Sequence, residues 1–279
     1  MLKAPINFIA PMDEKPTYNM DPPPGVPEEN VTYEEYIVAI RNARQMSPTA
    51  SLDREGFELV THKTDVSNLY DIDAIHDIYY GELETLVKQV TDAKRVVAFD
   101  WNIRSSDAHG TPGGMPKREP DDETPFDPET VQTPVRSAHN DYTERSGPQR
   151  VVDLMGEQEA KTLLRHRYAI INVWKPIVGP VKQVPLAFCD ARSIGSGQLL
   201  DTDLVYSDRT GEVAMLAYSP EQCWYYIPEM QATEAVLLKC FDSDRTQSRF
   251  TAHSAFNDPT SDIDAPPRES IEVRTLAFF

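Results

Sequence analysis

Residues 168–176 read YAIINVWKP. Branched and aromatic side chains fill this run and a proline closes it, so it reads as a strand. Moving outward, seven further stretches have the same character: VPLAFCDA (184–191), DTDLVYS (201–207), GEVAMLAYS (211–219), QCWYYIP (222–228), AVLLKCFDS (235–243), RFTAHSAF (249–256) and SIEVRTLAFF (270–279). Short turn signals separate them. Eight strands in close succession point to a sandwich or barrel, not to a parallel sheet crossed by helices. The expected core is a jelly roll, mainly β with flanking helices.

Upstream, KRVVAFDWNIR (94–104) is also strand-like, and GEQEAKTLLRHR (156–167) reads as a helix. TYEEYIVAIRNARQM (32–46) carries Tyr33, Tyr36, Ile37 and Ile40 at helical spacing and predicts an amphipathic helix. So does 71–91, where Gly81 is a place for a break. The cluster Asp21-Pro22-Pro23-Pro24-Gly25-Val26-Pro27 cannot be helical. Residues 105–134 are rich in Gly, Pro, Ser and acids, with almost nothing apolar to bury; a loop of that length is functional or disordered. The expectation is one domain over 1–279. Within it, residues 1–93 are helical or irregular and pack on a core formed by 94–279, and 105–134 serves as a lid.

The formal net charge of −18 argues against nucleic acid or an anionic membrane as partner, because long-range repulsion opposes both. No apolar run reaches membrane-spanning length, and proline breaks the N-terminal stretch too early for a signal peptide. Cys189, Cys223 and Cys240 are odd in number and widely spaced, which excludes a CxxC site and makes the cytoplasm the expected compartment. A small-molecule substrate is the expected partner, and a homodimer stays open. No GxSxG, GxGxxG or GxxxxGK[ST] occurs.

The chemistry centres on SAHNDYT (137–143). With six histidines and 45 acids in 279 residues, about one His-x-acid arises by chance, so His139-Asn140-Asp141 alone carries little. On a strand, however, residues two apart share a face. His139 and Asp141 would offer an imidazole and a carboxylate to one ion. His253, a lone imidazole in an apolar strand, would complete the 2-His-1-carboxylate triad that leaves positions open for O₂ and a cosubstrate. Taken alone, His253 is more readily a satisfied core histidine. Arg268 and Ser270 share a strand face and match a carboxylate, with a guanidinium fork and a hydroxyl. Arg104-Ser105-Ser106 has the same form, and a plain Glu272–Arg274 pair is the alternative use of the last strand's face.

Taken together, HNDYT, YAIINVWKP, VPLAFCDARS, QCWYYIPEMQATEAVLLKCFDS, TAHSAFNDP and RESIEVRTLAF resemble a family of Fe(II)/2-oxoglutarate-dependent oxygenases. It groups the cephamycin methoxylation protein, the novofumigatonin endoperoxide synthase and gibberellin desaturase-like proteins. The six blocks span roughly 94–279, in order. The resemblance implies a double-stranded β-helix and Fe(II), 2-oxoglutarate and O₂ as cofactors. It implies oxidation of a small molecule in secondary metabolism, by hydroxylation, desaturation, cyclisation or endoperoxidation. It also implies iron on His139, Asp141 and His253, and the distal carboxylate of 2-oxoglutarate on Arg268 and Ser270, with Arg274 as the alternative anchor. Thr143, Asn172, Trp174, Arg192 and Tyr225 are candidates for the active-site wall or substrate contacts, with Asp190 beside them. Trp101, Trp224 and Tyr226 are further aromatic candidates, and Arg136, like Arg192, could meet an acidic substrate. Two rivals stand beside this reading: a cupin-like metal enzyme that does not use 2-oxoglutarate, and a non-catalytic β-sandwich in which His139 and His253 are unrelated.

Overall fold

All eight strand-like stretches from 168 onward are strands in the structure, a computed structural model that describes residues 1–107 and 131–279. In chain order the elements are β1 (Leu2–Ile9), β2 (Thr17–Asn19), β3 (Tyr33–Asn42), β4 (Phe57–Thr61), α1 (Ile72–Ala74), a π-helical turn (Ile75–Tyr79), α2 (Tyr80–Thr91), β5 (Arg95–Ser105) and β6 (His139–Asn140). They continue with α3 (Ser146–Leu163), β7 (Tyr168–Pro176), β8 (Leu186–Cys189), β9 (Leu199–Val205), β10 (Thr210–Leu216), β11 (Trp224–Tyr226), β12 (Glu234–Asp242), β13 (His253–Ala255) and β14 (Glu269–Phe278). Among the described residues these strands form two sheets. One runs β1-β3-β11-β8-β13-β6-β10-β9-β2, the other β4-β12-β7-β14-β5. They curl face to face as a double-stranded β-helix.

β7 lies at the centre of the five-stranded sheet, and each of its nine residues is buried. That is why YAIINVWKP is nearly continuously apolar where an exposed sheet face would alternate. Ile170 and Trp174 point to the space between the sheets, where they join Phe57, Phe188, Leu238 and Leu276. Ile171 and Val173 point the other way, onto Leu83 and Val87 of α2. The helix at 71–91 is as expected, but Gly81 does not break it. Its missing Cβ faces open space, and the irregularity is the π turn just before it.

The N-terminal region differs from expectation. Residues 33–42 are not a helix but β3, antiparallel to β1 from Leu2↔Ile40 to Ile9↔Tyr33 and parallel to β11. Val38 and Ile40 are buried, whereas Ile37 is 61% exposed. The strand buries a residue that the helical pattern leaves out and exposes one that it requires. Pairing on two sides overrides a local periodicity, and the branched side chains favour the extended form. The helix expected at 156–167 begins earlier, at Ser146, and carries non-helical backbone at Gly156 (φ 74°). Pro148 is tolerated because it falls in the first turn, where its missing N–H has no partner to lose.

Candidate active site

β6 has only two residues, yet it fixes the centre of the site. His139 pairs with Met215 of β10 on one side and with His253 of β13 on the other. The two histidines are thus direct cross-strand partners, with ring centroids 4.6 Å apart. Asp141 stands just past the strand, in a bend. The side-chain amide of Asn140 holds that bend by donating to the carbonyls of Tyr142 (2.7 Å) and Cys240 (2.8 Å).

His139 Nδ1 lies 2.8 Å from the Ser137 carbonyl and His253 Nδ1 lies 3.1 Å from that of Thr251. A carbonyl only accepts, so both Nδ1 atoms carry the proton and both Nε2 lone pairs are free. These Nε2 atoms face Asp141 Oδ1, at 3.5 Å from His139 and 4.0 Å from His253. The three ligand atoms all lie within 4.8 Å of one another, and among the described residues no other such His, Cys, Asp and Glu group occurs. The two histidine–carboxylate separations are within about an ångström of the roughly 3 Å kept by neighbouring ligands of an octahedral ion. The donor set therefore fits a divalent first-row metal. A β-sandwich with unrelated histidines does not fit.

Asp141 has its second oxygen tied down. Oδ2 accepts from Arg274 Nε (3.0 Å) and Asn172 Nδ2 (2.8 Å), leaving Oδ1 for the ion. Burial opposes ionisation of this carboxyl, but the Arg274 guanidinium holds it well below the usual carboxylate range. Burial and the facing His139 push His253 down to about 4, so it stays the neutral imidazole that a metal requires. Arg274 also binds Asp100 Oδ2 (2.8 Å) and faces Glu272 Oε1 (3.3 Å). It is turned toward acids of the chain, and the Glu272–Arg274 contact exists as well.

A cavity of about 1150 Å³ opens from this centre over the inner face of the five-stranded sheet. Arg268 lies at its edge, buried, with its guanidinium 5.6 Å from the Trp174 ring. Its Nη1 donates to the Val184 carbonyl (3.0 Å), but its Nε is buried without a partner. Burial, then the nearby Arg104 and Arg136, push the Arg268 guanidinium down to about 9. Ser270 also lines the cavity, its hydroxyl 3.5 Å from the Arg104 carbonyl. A buried cation with an unmade hydrogen bond and a hydroxyl beside it fit a carboxylate.

The other candidate residues divide. Asn172 and Trp174 belong to the site, the first through Asp141 and the second as a cavity wall. Trp101 borders the cavity from its place on β5, but it belongs to the core cluster of Ile75, Tyr79 and Leu83 on the far face of the sheet. Thr143 does not belong to the site. Its hydroxyl bonds Glu212 and accepts from the Ser146 amide (3.1 Å), stabilising the start of α3. Arg192 is paired with Asp190 (2.6 Å) and Glu55 (2.9 Å), away from the cavity. Tyr225 packs near Phe57, and Trp224 is core. Arg136 donates to Asn257 (2.6 Å) beside a separate cavity of about 330 Å³. Most of the expected lid, residues 108–130, lies outside the described residues. The upstream stem meets Arg268, whose carbonyl accepts from Ser106 N, and the downstream stem meets β5, where the Arg104 side chain donates to the Thr133 carbonyl. Asp100, Asn102 and Arg104 of β5 face the cavity and were not singled out as site residues; their every-second spacing in FDWNIR was the available signal.

A family model described as an oxidoreductase/YMDC permease-like domain matches residues 6–278. The chain is 31% identical over 268 residues to the Fe(II)/2-oxoglutarate-dependent dioxygenase nvfI of Aspergillus novofumigatus, covering 94% of this chain and 90% of that protein. It is 35% identical over 259 residues to the hydroxylase/desaturase CTB9 of Cercospora beticola, covering 88% and 78%. Among solved structures, that of the iron and alpha-ketoglutarate-dependent endoperoxidase NvfI matches with a TM-score of 0.85 at 29% identity, over 99% of this chain and 97% of that one.

Proposed function

The chain belongs to the Fe(II)/2-oxoglutarate-dependent oxygenase family of these relatives, and on that premise we propose that His139, Asp141 and His253 hold its iron while Arg268 and Ser270 hold the distal carboxylate of 2-oxoglutarate. The observation that carries the reading is the cross-strand pairing of His139 with His253, with both Nε2 atoms free and facing Asp141 Oδ1. Iron, 2-oxoglutarate and O₂ together supply an oxidant able to remove hydrogen from an unactivated C–H bond. The protein's residues supply geometry. The Ser137 and Thr251 carbonyls fix the two imidazoles, and Arg274 and Asn172 keep Asp141 ionised with one oxygen turned inward. Trp174 shields the carboxylate end from water.

The product is an oxidised small molecule of secondary metabolism, formed by hydroxylation, desaturation, cyclisation or endoperoxidation. The substrate lies toward Phe99, Tyr142 and Met215, which give the cavity an apolar side away from Arg268. We assign the enzyme to the cytoplasm, in keeping with three unpaired thiols.

The test is a 2-oxoglutarate titration of succinate formation for the wild type and Arg268→Ala. Removing one member of a buried charge pair costs about 2–5 kcal/mol, or roughly 30- to several-thousand-fold in affinity. A shift of that size with iron binding retained supports the assignment. An unchanged titration sinks it, and a wild type indifferent to 2-oxoglutarate returns the reading to a metal enzyme of another kind.

A further inference from the structure

Arg104 lies directly opposite Ser270 in the β5–β14 register, and Arg268 stands two positions from Ser270. Opposite residues of antiparallel neighbours are about 5 Å apart, and two strand positions span about 7 Å. A guanidinium on Arg104 therefore reaches the space that Arg268 and Ser270 face, and all three line the same cavity. Arg104 uses Nη1 on the Thr133 carbonyl at 2.7 Å. Among the described residues no carboxylate makes an ion-pair contact with Arg104 or Arg268, and Glu272 is engaged by Arg274.

Two like charges thus share one recess, with Arg268 buried and Arg104 half-buried. Beside them are two buried hydrogen-bond donors without a partner, Arg268 Nε and the Thr133 hydroxyl. Such a cluster is costly unless an anion joins it. Burial, against the pull of Glu272, holds Arg104 below its ordinary value, as an unmatched cation would be held.

We propose that Arg104 is a second anchor for the distal carboxylate of 2-oxoglutarate, meeting it from β5 while Arg268 and Ser270 meet it from β14. This rests on the cofactor reading above and extends it from one guanidinium to two. The arrangement selects for dianionic 2-oxo acids, because a 2-oxo acid without the second carboxylate leaves both cations unmatched.

The test is anaerobic calorimetry of Mn(II)-loaded protein with 2-oxoglutarate and, in parallel, with 2-oxobutyrate, which keeps the 2-oxo acid head and lacks the distal carboxylate. Arg104→Gln should weaken 2-oxoglutarate by about 10- to 100-fold, the range of one charged hydrogen-bonding partner. It should leave Mn(II) and 2-oxobutyrate affinity essentially unchanged. Arg104→Lys, which keeps the charge and loses the fork, should fall between Gln and the wild type; a Lys variant as weak as Gln counts against the proposal. Equal weakening of both acids would mean that Arg104 acts through the fold of β5, and would overturn it. Arg268→Gln separates the two levels. If Arg268→Gln weakens 2-oxoglutarate and Arg104→Gln does not, the second anchor falls and the cofactor site stands. If neither does, the cofactor site itself is misplaced.

Discussion

Removing Arg274 should unbalance the site more than removing the charge it serves. Its guanidinium faces three carboxylates: Asp141 (3.0 Å), Asp100 (2.8 Å) and Glu272 (3.3 Å). Asp141, by contrast, has one cation and one amide, Arg274 and Asn172. Arg274→Met leaves a buried carboxylate with only an amide, and breaking a buried pair this way costs about 3–5 kcal/mol. Asp141→Asn leaves Arg274 with two acids, so the expected loss is that of a charged hydrogen bond, about 1.5–3 kcal/mol. The double variant should recover about 2 kcal/mol relative to the sum of the singles, since the pair is removed together. The assay is urea unfolding at pH 7 of protein kept metal-free by a chelator. pH adds a second reading. The Asp141 carboxyl is depressed in the fold, so its contribution is present above the unfolded value of about 3.9 and lost as pH falls through the folded one. Without Arg274 the folded value rises, and acid unfolding of the variant should begin at higher pH. An Arg274→Met variant that loses less than Asp141→Asn, or single losses that simply add, would refute this account of how Asp141 is held.

On the far side of β7, burial pushes Lys175 down to about 8, although its Nζ donates to the His62 carbonyl at 2.6 Å. The unfolded chain then binds the extra proton between pH ~8 and ~10.4, so stability should rise across that window by up to about 3 kcal/mol. Lys175→Met should abolish the rise in a pH series of unfolding curves, and an unchanged slope would contradict it. Burial pushes Cys189 up to about 12 and Cys240 well above the ordinary thiol range, whereas Cys223 is partly exposed. Mass spectrometry after maleimide treatment should show one label on the folded chain and three after unfolding; two on the folded chain would contradict the packing.

Much of the β core was legible because its strands are dense in branched and aromatic residues and bounded by turn signals. The N-terminal strands were not. Tyr33, Tyr36, Ile37 and Ile40 satisfy a helical period, and only pairing with β1 and β11 selects Val38 and Ile40 as the buried set. β1 itself alternates, with Ala4, Ile6 and Phe8 buried, but Pro5 disguises the run; a proline is tolerated there because β1 is an edge strand. In the site, His139, Asp141 and His253 could be proposed from spacing and resemblance, since a metal centre needs particular residue types. Arg104 could not, because its place beside Ser270 depends on a register between strands far apart in the chain. Thr143 shows the converse. Its position beside the motif reads as belonging to the wall, yet its hydroxyl is consumed in starting α3.

The central claim is that one ion sits between β6 and β13 with 2-oxoglutarate running from it toward Arg268. The most direct measurement is a crystal structure grown anaerobically with Mn(II) and 2-oxoglutarate. The account predicts one ion about 2.0–2.3 Å from His139 Nε2, Asp141 Oδ1 and His253 Nε2, with the distal carboxylate on Arg268 and Ser270. An ion bound elsewhere, or a 2-oxoglutarate whose distal carboxylate touches neither Arg268 nor Ser270, would contradict it.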